Sequence, residues 1–476
     1  MAGSSSRARK APKPLTTTQR VGLVAAVAVF FIPFVVEFQG LSTEGHRVLG
    51  VLFMAVVLWV TEAIPLHATT TIIILSEILL VSTQGLLPVS EGFAPPSHKV
   101  FFATLADPIL MLFLGGFVLA DCAAKFDLDR NLAGVLLRPF GNRPGFIMLG
   151  LMLITAVFSM FMSNTATTAT MMAVVIPVVS RFPAGDRMRI GLVLCIPIAA
   201  NIGGMGTPIG TPPNAIAIGA LARAGISVSF LDWMLMVGPF MIVILLASWL
   251  LMSRVFSSKQ QDVEMNIDSA FNTSRPAKIF YVTFIVTILL WLTGGLHGVS
   301  SSVCGFLPVA VLLSTRVFST NDLQSIQWQV LWLVAGGIAL GVGVGQTGLD
   351  KWLVGLVGWE NLGVSLLVAV LVAMALVFST FISNTATTNL LVPLAMSLAS
   401  SGTAGISAIV AAALVAMGAS LAMSLPVSTP PNAIAMSTGT VRTKDMALVG
   451  IFVGLLGGGL CVFGARWFWG LLGVTS

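Results

Sequence analysis

Two polar motifs each occur twice in this chain, in the same order. The repeated segments are Ser163-Asn164-Thr165 with Ser383-Asn384-Thr385, and Thr211-Pro212-Pro213-Asn214 with Thr429-Pro430-Pro431-Asn432. Serine, threonine and asparagine side chains both donate and accept hydrogen bonds. A helix N-terminus beside them adds backbone N–H groups, which bind an anion without a formal charge. Hydroxyl, amide and carbonyl oxygens on the same segments are also hard ligands suited to Na⁺.

The repeated motifs interrupt very apolar stretches of the sequence. Pro212 and Pro213 break regular helix, and Gly206 and Gly210 let the backbone approach a ligand closely. In lipid, an interrupted helix leaves backbone groups unpaired unless they line a cavity or meet a ligand. Interruptions at matching positions of two halves therefore indicate the central binding site of a transporter. The alternative, polar residues that only hold transmembrane helices together, is disfavoured by the duplication in register.

The composition is typical of a polytopic membrane protein. The chain is 56% hydrophobic and only 9% charged, whereas soluble domains carry about 25% charged residues. Its net charge of +6 is better explained by membrane topology than by nucleic-acid binding. The four cysteines lie in apolar stretches without ligand spacing, which predicts small buried side chains rather than disulfides or a metal site.

We predict an all-α polytopic membrane protein with 11 transmembrane helices plus two re-entrant helical hairpins in an inverted repeat. The predicted spans are 21–38, 47–65, 67–88, 103–124, 188–221, 230–253, 279–296, 299–317, 328–349, 404–438 and 446–465. Two further apolar blocks, 145–180 and 362–400, are each divided by a Ser-Asn-Thr motif. Each block is one long helix, two spans or a re-entrant hairpin; motif polarity and length favour the hairpin.

The distribution of basic residues predicts the orientation. With the N-terminus in the cytoplasm and the C-terminus outside, 19 of the 24 Lys and Arg residues lie on the cytoplasmic side, as the positive-inside rule requires. The repeat also includes Gly115-Gly116 with Gly336-Gly337, and Leu128-Asp129-Arg130 with Leu349-Asp350-Lys351. Five spans separate the start of the two units, and an odd number inverts the second unit, so that the hairpin tips meet near the midplane.

Three polar segments flank these spans. Residues 1–20 predict a disordered cytoplasmic tail, and residues 255–278 predict a cytoplasmic linker between the halves. Residues 128–143 predict an amphipathic helix at the cytoplasmic surface.

Other candidate functional residues are weaker. Three carboxylates lie within or at the ends of spans: Asp107, Glu62 and Glu77. Ionisable residues in membrane spans often have a function, but here a structural or gating role is favoured over a proton relay. His46, His67, His98 and His297 are scattered, which disfavours a metal site. The sequence has neither a Gly-x-Ser-x-Gly elbow nor a Walker-type loop, so we predict a transporter driven by ions and not an enzyme.

The motifs resemble those of a known family. The paired Ser-Asn-Thr and Thr-Pro-Pro-Asn segments, together with Thr61-Glu62-Ala63-Ile64-Pro65, are similar to the divalent anion/sodium symporters, the INDY-type dicarboxylate carriers. The likeness runs from the second helix to the last.

This resemblance implies a homodimer that works by an elevator mechanism. It assigns scaffold helices to 21–124 and 279–349, and moving transport elements to 128–253 and 350–472, with re-entrant hairpins 145–180 and 362–400 and broken helices 188–221 and 404–438. The implied substrate contacts are Ser163, Asn164, Thr165, Thr211, Pro212, Ser383, Asn384, Thr385, Thr429 and Pro430.

The resemblance also implies two sodium sites and a substrate class. One Na⁺ is held by Ser159, Ser163, Asn164 and the Gly210 carbonyl; the other is held by Ser379, Asn384 and the carbonyls of Ile382 and Ser428. Thr385 stands where citrate and sulfate carriers more often have Val, which favours C4-dicarboxylates such as succinate, malate and fumarate. Ser428 departs from the Gly210 of the first repeat, a change that a backbone ligand survives. The implied location is the bacterial plasma membrane.

Three alternatives stay open. The chain could exchange dicarboxylates without sodium, or carry citrate or sulfate on the same fold. A sodium/proton antiporter or an anion efflux pump would need a titratable carboxylate within the membrane, for which Asp107 is the only fair candidate. An intramembrane enzyme would need a nucleophile–base pair or a metal site, and the sequence offers neither.

Overall fold

The described part of the chain is helical. The computed structural model describes residues 15–260, 262, 270–356, 363–400, 405–471 and 473, and it has no strand within these ranges. The helices of the first half are α1 (Thr17–Val35), α2 (Thr43–Thr61), α3 (Leu66–Val81), α4 (His98–Ala103), α5 (Pro108–Lys125), α6 (Leu128–Leu136), α7 (Pro144–Phe161), α8 (Asn164–Val179), α9 (Met188–Gly204), α10 (Pro212–Arg223) and α11 (Phe230–Val255).

The second half repeats this sequence of long and interrupted helices. Its helices are α12 (Arg275–Leu292), α13 (Gly294–His297), α14 (Ser301–Ser314), α15 (Thr320–Ser325), α16 (Trp328–Gln346), α17 (Leu349–Gly355), α18 (Val364–Phe381), α19 (Asn384–Ser400), α20 (Ala408–Ser420), α21 (Pro430–Ser437), α22 (Thr443–Gly459) and α23 (Ala465–Leu471).

Nine helical segments among the described residues are long and apolar enough to cross a membrane. They are α1, α2, α4 with α5, α7, α11, α12, α16, α18 and the segment Thr443–Gly464, which begins with α22. Five more apolar helices are shorter: α3, α8, α9, α14 and α20. Without the hairpin helices α7 and α18, seven long segments remain. Together with α3, α14 and the two interrupted helices, α9 with α10 and α20 with α21, they would make the predicted eleven spans. This count stays a prediction.

Three predicted boundaries differ from those in the structure, two of them because a helix cap decides where the helix begins. The N-terminal tail predicted over 1–20 gives way to helix at Thr17, because Thr16 and Gln19 form a capping box at the start of α1; residues 1–14 lie outside the described ranges. The linker predicted over 255–278 overlaps α12, which Ser274 caps at Arg275, and its residues 261 and 263–269 also lie outside. The surface helix predicted over 128–143 ends at Leu136.

Each Ser-Asn-Thr motif forms the turn between two consecutive helices. Met162 and Ser163 separate α7 from α8, and Ile382 and Ser383 separate α18 from α19. The Ser163 hydroxyl accepts the N–H of Ala166 at 3.2 Å, and Ser383 makes the equivalent 3.2 Å bond in the second copy. Serine at this position caps the new helix, so the motif itself ends one helix and starts the next. How deeply these helix–turn–helix units enter the membrane stays a prediction.

Each Thr-Pro-Pro-Asn motif restarts an interrupted helix. The Asn214 amide nitrogen donates to the carbonyls of Gly204, Met205 and Thr207 at 3.1, 3.1 and 2.7 Å. In the second copy, the Asn432 amide nitrogen donates to the carbonyls of Met423 and Leu425, both at 2.9 Å. A helix end leaves its last carbonyls unpaired. The asparagine that follows the proline pair therefore satisfies the carbonyls that the interruption frees.

The duplicated glycine pairs lie where helices cross closely. Gly115 of α5 faces Gly305 of α14, so that an added methyl group would overlap the Gly305 carbonyl oxygen, and Gly116 faces Ile209 in the loop between α9 and α10. The second pair repeats this arrangement, with Gly336 against Thr70 of α3 and Gly337 against Asn389 of α19. Each pair thus packs against a neighbouring apolar helix on one side and a motif-bearing element on the other.

We expect Gly115→Ala to lower the temperature at which the detergent-purified protein unfolds. The new methyl group has no room between α5 and α14, and overpacking costs about 1–3 kcal/mol. The matched control is Gly238→Ala in α11, where an added methyl group meets nothing within 4 Å. Equal unfolding temperatures for the two variants would contradict the close crossing.

Candidate functional site

The four repeated motifs surround one cavity of about 380 Å³. All ten predicted substrate contacts line it: Ser163, Asn164, Thr165, Thr211, Pro212, Ser383, Asn384, Thr385, Thr429 and Pro430. Two predicted sodium ligands, Gly210 and Ser428, line it as well. Ser159 and Ser379 do not; both are fully buried one helical turn before their motifs. Ile382 is not among the lining residues either and lies in extended conformation before Ser383.

The described cavity lining presents helix N-termini but no Lys or Arg side chain. Helices α8, α10, α19 and α21 all begin at lining residues. The N–H groups in the first turn of a helix lack intrahelical partners, although the proline pairs that open α10 and α21 contribute none. The positive ends of these helix dipoles therefore face the cavity. The described lining residues include no Asp, Glu, Lys or Arg. Binding of a dianion would thus depend on N–H groups, hydroxyls, amides and accompanying cations.

Oxygen atoms converge on the Asn164 side chain. The Ser159 hydroxyl lies 2.7 Å from Asn164 Oδ1 and 2.8 Å from the Ala200 carbonyl oxygen. With the amide turned by 180°, its nitrogen would lie 2.7 Å from Ser159 Oγ, 3.1 Å from the Gly210 carbonyl and 3.2 Å from the Ala200 carbonyl. This corner of Asn164 therefore faces three oxygens. Either an amide nitrogen or a hard cation satisfies such a set.

A second oxygen cluster repeats the first around Asn384. The Ser379 hydroxyl lies 2.7 Å from Asn384 Oδ1 and 2.8 Å from the Ala419 carbonyl oxygen. The Ser428 hydroxyl donates to the Thr380 carbonyl at 2.9 Å. The structure therefore brings Ser379 and Asn384 together as the resemblance implies, and it adds the Ala419 carbonyl.

Several lining residues are not predicted from the sequence. Asn201 is 1% exposed, and its amide donates to Thr429 Oγ1 at 3.1 Å and lies 3.4 Å from Asn432 Oδ1. It therefore connects α9 of the first repeat to the second interrupted helix. A polar side chain inside the apolar 188–204 stretch was its only signal in the sequence. The other unpredicted lining residues are Leu66, His67, Phe113, Phe117, Ile209, Gln327, Gln329, Val330, Leu333 and Pro431.

The family follows from a match along nearly the whole chain. The sodium:sulfate symporter transmembrane region matches residues 16–475. The chain belongs to the sodium:sulfate symporter family. As a member of that family it is a multi-pass membrane transporter rather than an enzyme.

Relatives within the sodium:sulfate symporter family cover almost all of the chain. It is 30% identical to the sodium-dependent dicarboxylate transporter SdcS of Staphylococcus saprophyticus, over 94% of this chain and 91% of that protein. The SdcS protein of Staphylococcus aureus is also 30% identical, over 94% of this chain and 90% of its own length.

Two solved structures share the fold. The Alcanivorax borkumensis YdaH transporter gives a TM-score of 0.58 at 13% identity, over 86% of this chain and 99% of that one. The Neisseria gonorrhoeae antimetabolite efflux pump MtrF gives 0.51 at 13% identity, over 84% and 94%. At this identity the likeness concerns the fold alone.

The three acidic candidates of this sodium:sulfate symporter family member lie outside the cavity lining. Asp107 caps α5 by accepting the Ile109 N–H at 3.0 Å, and it pairs with Arg223 at 3.4 Å. Glu62 ends α2 in a left-handed conformation. Glu77 is fully buried, and neither carboxylate oxygen has a hydrogen-bond partner within the described ranges. Asp107 thus has a structural role at a helix start.

Proposed function

We propose that this transporter imports C4-dicarboxylates, such as succinate, malate and fumarate, together with Na⁺. The observation that carries this proposal is the pair of oxygen clusters, around Asn164 and Asn384, flanking one cavity whose described lining has no Asp, Glu, Lys or Arg. Two cations at these clusters would balance the two charges of a dicarboxylate. The sodium-dependent dicarboxylate transporters among its relatives support this assignment.

The duplicated turns favour a substrate with two separate anionic groups. Ser163–Thr165 and Ser383–Thr385 both line the cavity, and each turn presents a helix N-terminus with hydroxyl and amide groups. One carboxylate of a C4-dicarboxylate would meet each turn. Sulfate has a single anionic centre and would use the two turns less completely, which makes it the second candidate; citrate is the third.

The packing of the helices supports an elevator movement. Helices α2, α3 and α16 pack together, as do α5, α12 and α14, whereas the motif-bearing α7 and α8 pack against α9, and α18 and α19 pack against α20. The connecting helices α6 and α17 each follow a residue in left-handed conformation, Asp127 and Gly348. We propose that these connections carry the motif-bearing group past the scaffold. The family resemblance supports a homodimer held together by the scaffold.

The scaffold residues beside the cavity favour a cytoplasm-facing position. His67 lies at the start of α3, and Gln327 and Gln329 lie at the start of α16. In the orientation predicted from the basic residues, both helix starts are on the cytoplasmic side. The cavity would therefore stand near the cytoplasm in the state that the structure represents.

Uptake of radiolabelled succinate into proteoliposomes tests the proposed function. We expect uptake into empty vesicles to follow an inward Na⁺ gradient and to fall to background when K⁺ replaces Na⁺. Uptake that needs internal succinate and ignores sodium would establish an exchanger instead. If excess sulfate or citrate inhibited succinate uptake and malate and fumarate did not, sulfate or citrate would replace C4-dicarboxylates as the proposed substrate.

A further inference from the structure

One hydrogen bond joins the scaffold to the first Ser-Asn-Thr turn. The amide nitrogen of Gln327 lies 3.3 Å from the Ser163 hydroxyl oxygen. Gln327 directly precedes α16, whereas Ser163 lies between α7 and α8. The two residues therefore belong to the two groups of helices that the proposed elevator moves past one another.

The segment that presents Gln327 is anchored on both sides. Ser319 and Asp322 form a capping box at the start of α15, and Lys125 contacts Asp322 at 2.6 Å. Burial would raise the pKa of Asp322, but hydrogen bonds from Lys125 and Ser319 lower it below the ordinary value, so the carboxylate keeps its charge. The indole of Trp328 donates to the Leu323 carbonyl at 2.9 Å. Gln327 is thus held by its own backbone and does not depend on Ser163 for its position.

The bond from Gln327 uses the last acceptor position of the Ser163 hydroxyl. A serine hydroxyl has one hydrogen to donate and two lone pairs to accept with. One lone pair accepts the Ala166 N–H at 3.2 Å, which caps α8, and the other accepts the Gln327 amide at 3.3 Å. The hydrogen of Ser163 remains for a substrate carboxylate. A sodium ion, however, needs one of the lone pairs.

Among the described residues, the second turn has no equivalent scaffold contact. Within the described ranges, Ser383 Oγ accepts only the Ala386 N–H, at 3.2 Å. The residue that matches Gln327 at the 221-residue repeat offset of the glycine pairs is Ala106, which has no side-chain donor. The competition for a lone pair therefore concerns only the first turn, although the two oxygen clusters are otherwise alike.

We propose that Gln327 is a positioning residue that promotes Na⁺ release from the first cluster when the first turn is docked against the start of α16. Sodium coordination by Ser163 and the hydrogen bond from Gln327 exclude each other. Because Gln327 belongs to the scaffold, the bond exists in one elevator position and weakens Na⁺ binding on one side of the membrane. This inference rests on the proposed function and, within it, on the Ser163 hydroxyl as a ligand of the first sodium ion, the role that the family resemblance implies for Ser163.

The test compares Na⁺ dependence on the two faces of the membrane. Succinate transport by wild type, Gln327→Leu and the control Gln346→Leu, at the exposed far end of α16, is measured in right-side-out and inverted vesicles at varied Na⁺. We expect Gln327→Leu to need about three- to tenfold less Na⁺ at the cytoplasmic face, the change ordinary for one net hydrogen bond. Its Na⁺ requirement at the outer face and that of Gln346→Leu should equal wild type.

Each outcome bears on one of the two proposals. The role of Gln327 is overturned if the Na⁺ requirement of Gln327→Leu equals that of wild type, rises, or falls equally on both faces. These results would leave sodium-coupled transport intact. Wild-type succinate transport that ignores Na⁺ overturns the proposed function itself. Should Gln327→Leu fail to fold, judged by its unfolding temperature in detergent, Gln327→Met keeps the chain length without the amide and takes its place.

Discussion

Replacing either Asn164 or Asn384 with alanine is expected to abolish sodium-driven succinate uptake while leaving assembly of the protein intact. Each side chain lies at the centre of one oxygen cluster, 2.7 Å from Ser159 or Ser379, and each also lines the cavity. Alanine would remove the proposed cation ligand and the proposed substrate contact together. A hydrogen bond to a charged group contributes about 1.5–3 kcal/mol, so losing both interactions would lower transport by about two orders of magnitude or more.

Uptake into proteoliposomes under an inward Na⁺ gradient measures this loss, and size-exclusion chromatography checks assembly. The matched control is Asn272→Ala, because Asn272 is exposed in the segment before α12. Wild-type uptake by either cavity variant would refute the assignment of that cluster. Loss of uptake together with a changed elution volume would point to misfolding.

Replacing Asn214 or Asn432 with alanine is expected to destabilise the protein and to stop transport. Asn214 is fully buried, and its amide serves three backbone carbonyls, whereas the Asn432 amide serves two. A buried polar group left without a partner costs about 1–3 kcal/mol. The loops thus released carry Gly210 and Ser428, both at the cavity.

Thermal unfolding in detergent measures the effect, and both Asn214→Ala and Asn432→Ala should unfold at a lower temperature than wild type. Asn214→Asp provides an internal comparison, since it keeps the size of the side chain but removes the N–H donors. If Asn214→Asp unfolded at a temperature close to that of wild type, hydrogen bonds from the Asn214 amide would not be what stabilises the interrupted helix.

The duplicated motifs made about half of the cavity lining predictable. Asn164 and Asn384 were identifiable because the same polar triplet interrupts two apolar blocks, and all ten residues expected at the substrate line one cavity. The carbonyls of Ala200 and Ala419 were not predictable, because a backbone ligand leaves no mark on residue type. Asn201 is matched in the second repeat by Ser420 rather than asparagine, so comparison of the two halves does not reveal it.

Gln327 was not predictable for a different reason. It lies 164 residues from Ser163 in the chain, outside every repeated segment, and only the docking of two groups of helices brings it to the turn. Helix ends were predictable to within a few residues where apolar length decides them. They were misplaced where a cap decides, as at Thr16 and Ser274.

The absence of charged side chains from the described cavity lining has an electrical consequence. The described lining has no Asp, Glu, Lys or Arg, and binding the proposed two Na⁺ and one succinate would add no net charge to it. Membrane voltage does about 2.3 kcal/mol of work per elementary charge for every 100 mV. Loading the cavity with this set of ions would therefore leave the work done by the voltage unchanged. Current would flow only through cations carried beyond those two. The charge moved per succinate in a voltage-clamp recording would therefore count the additional sodium ions directly.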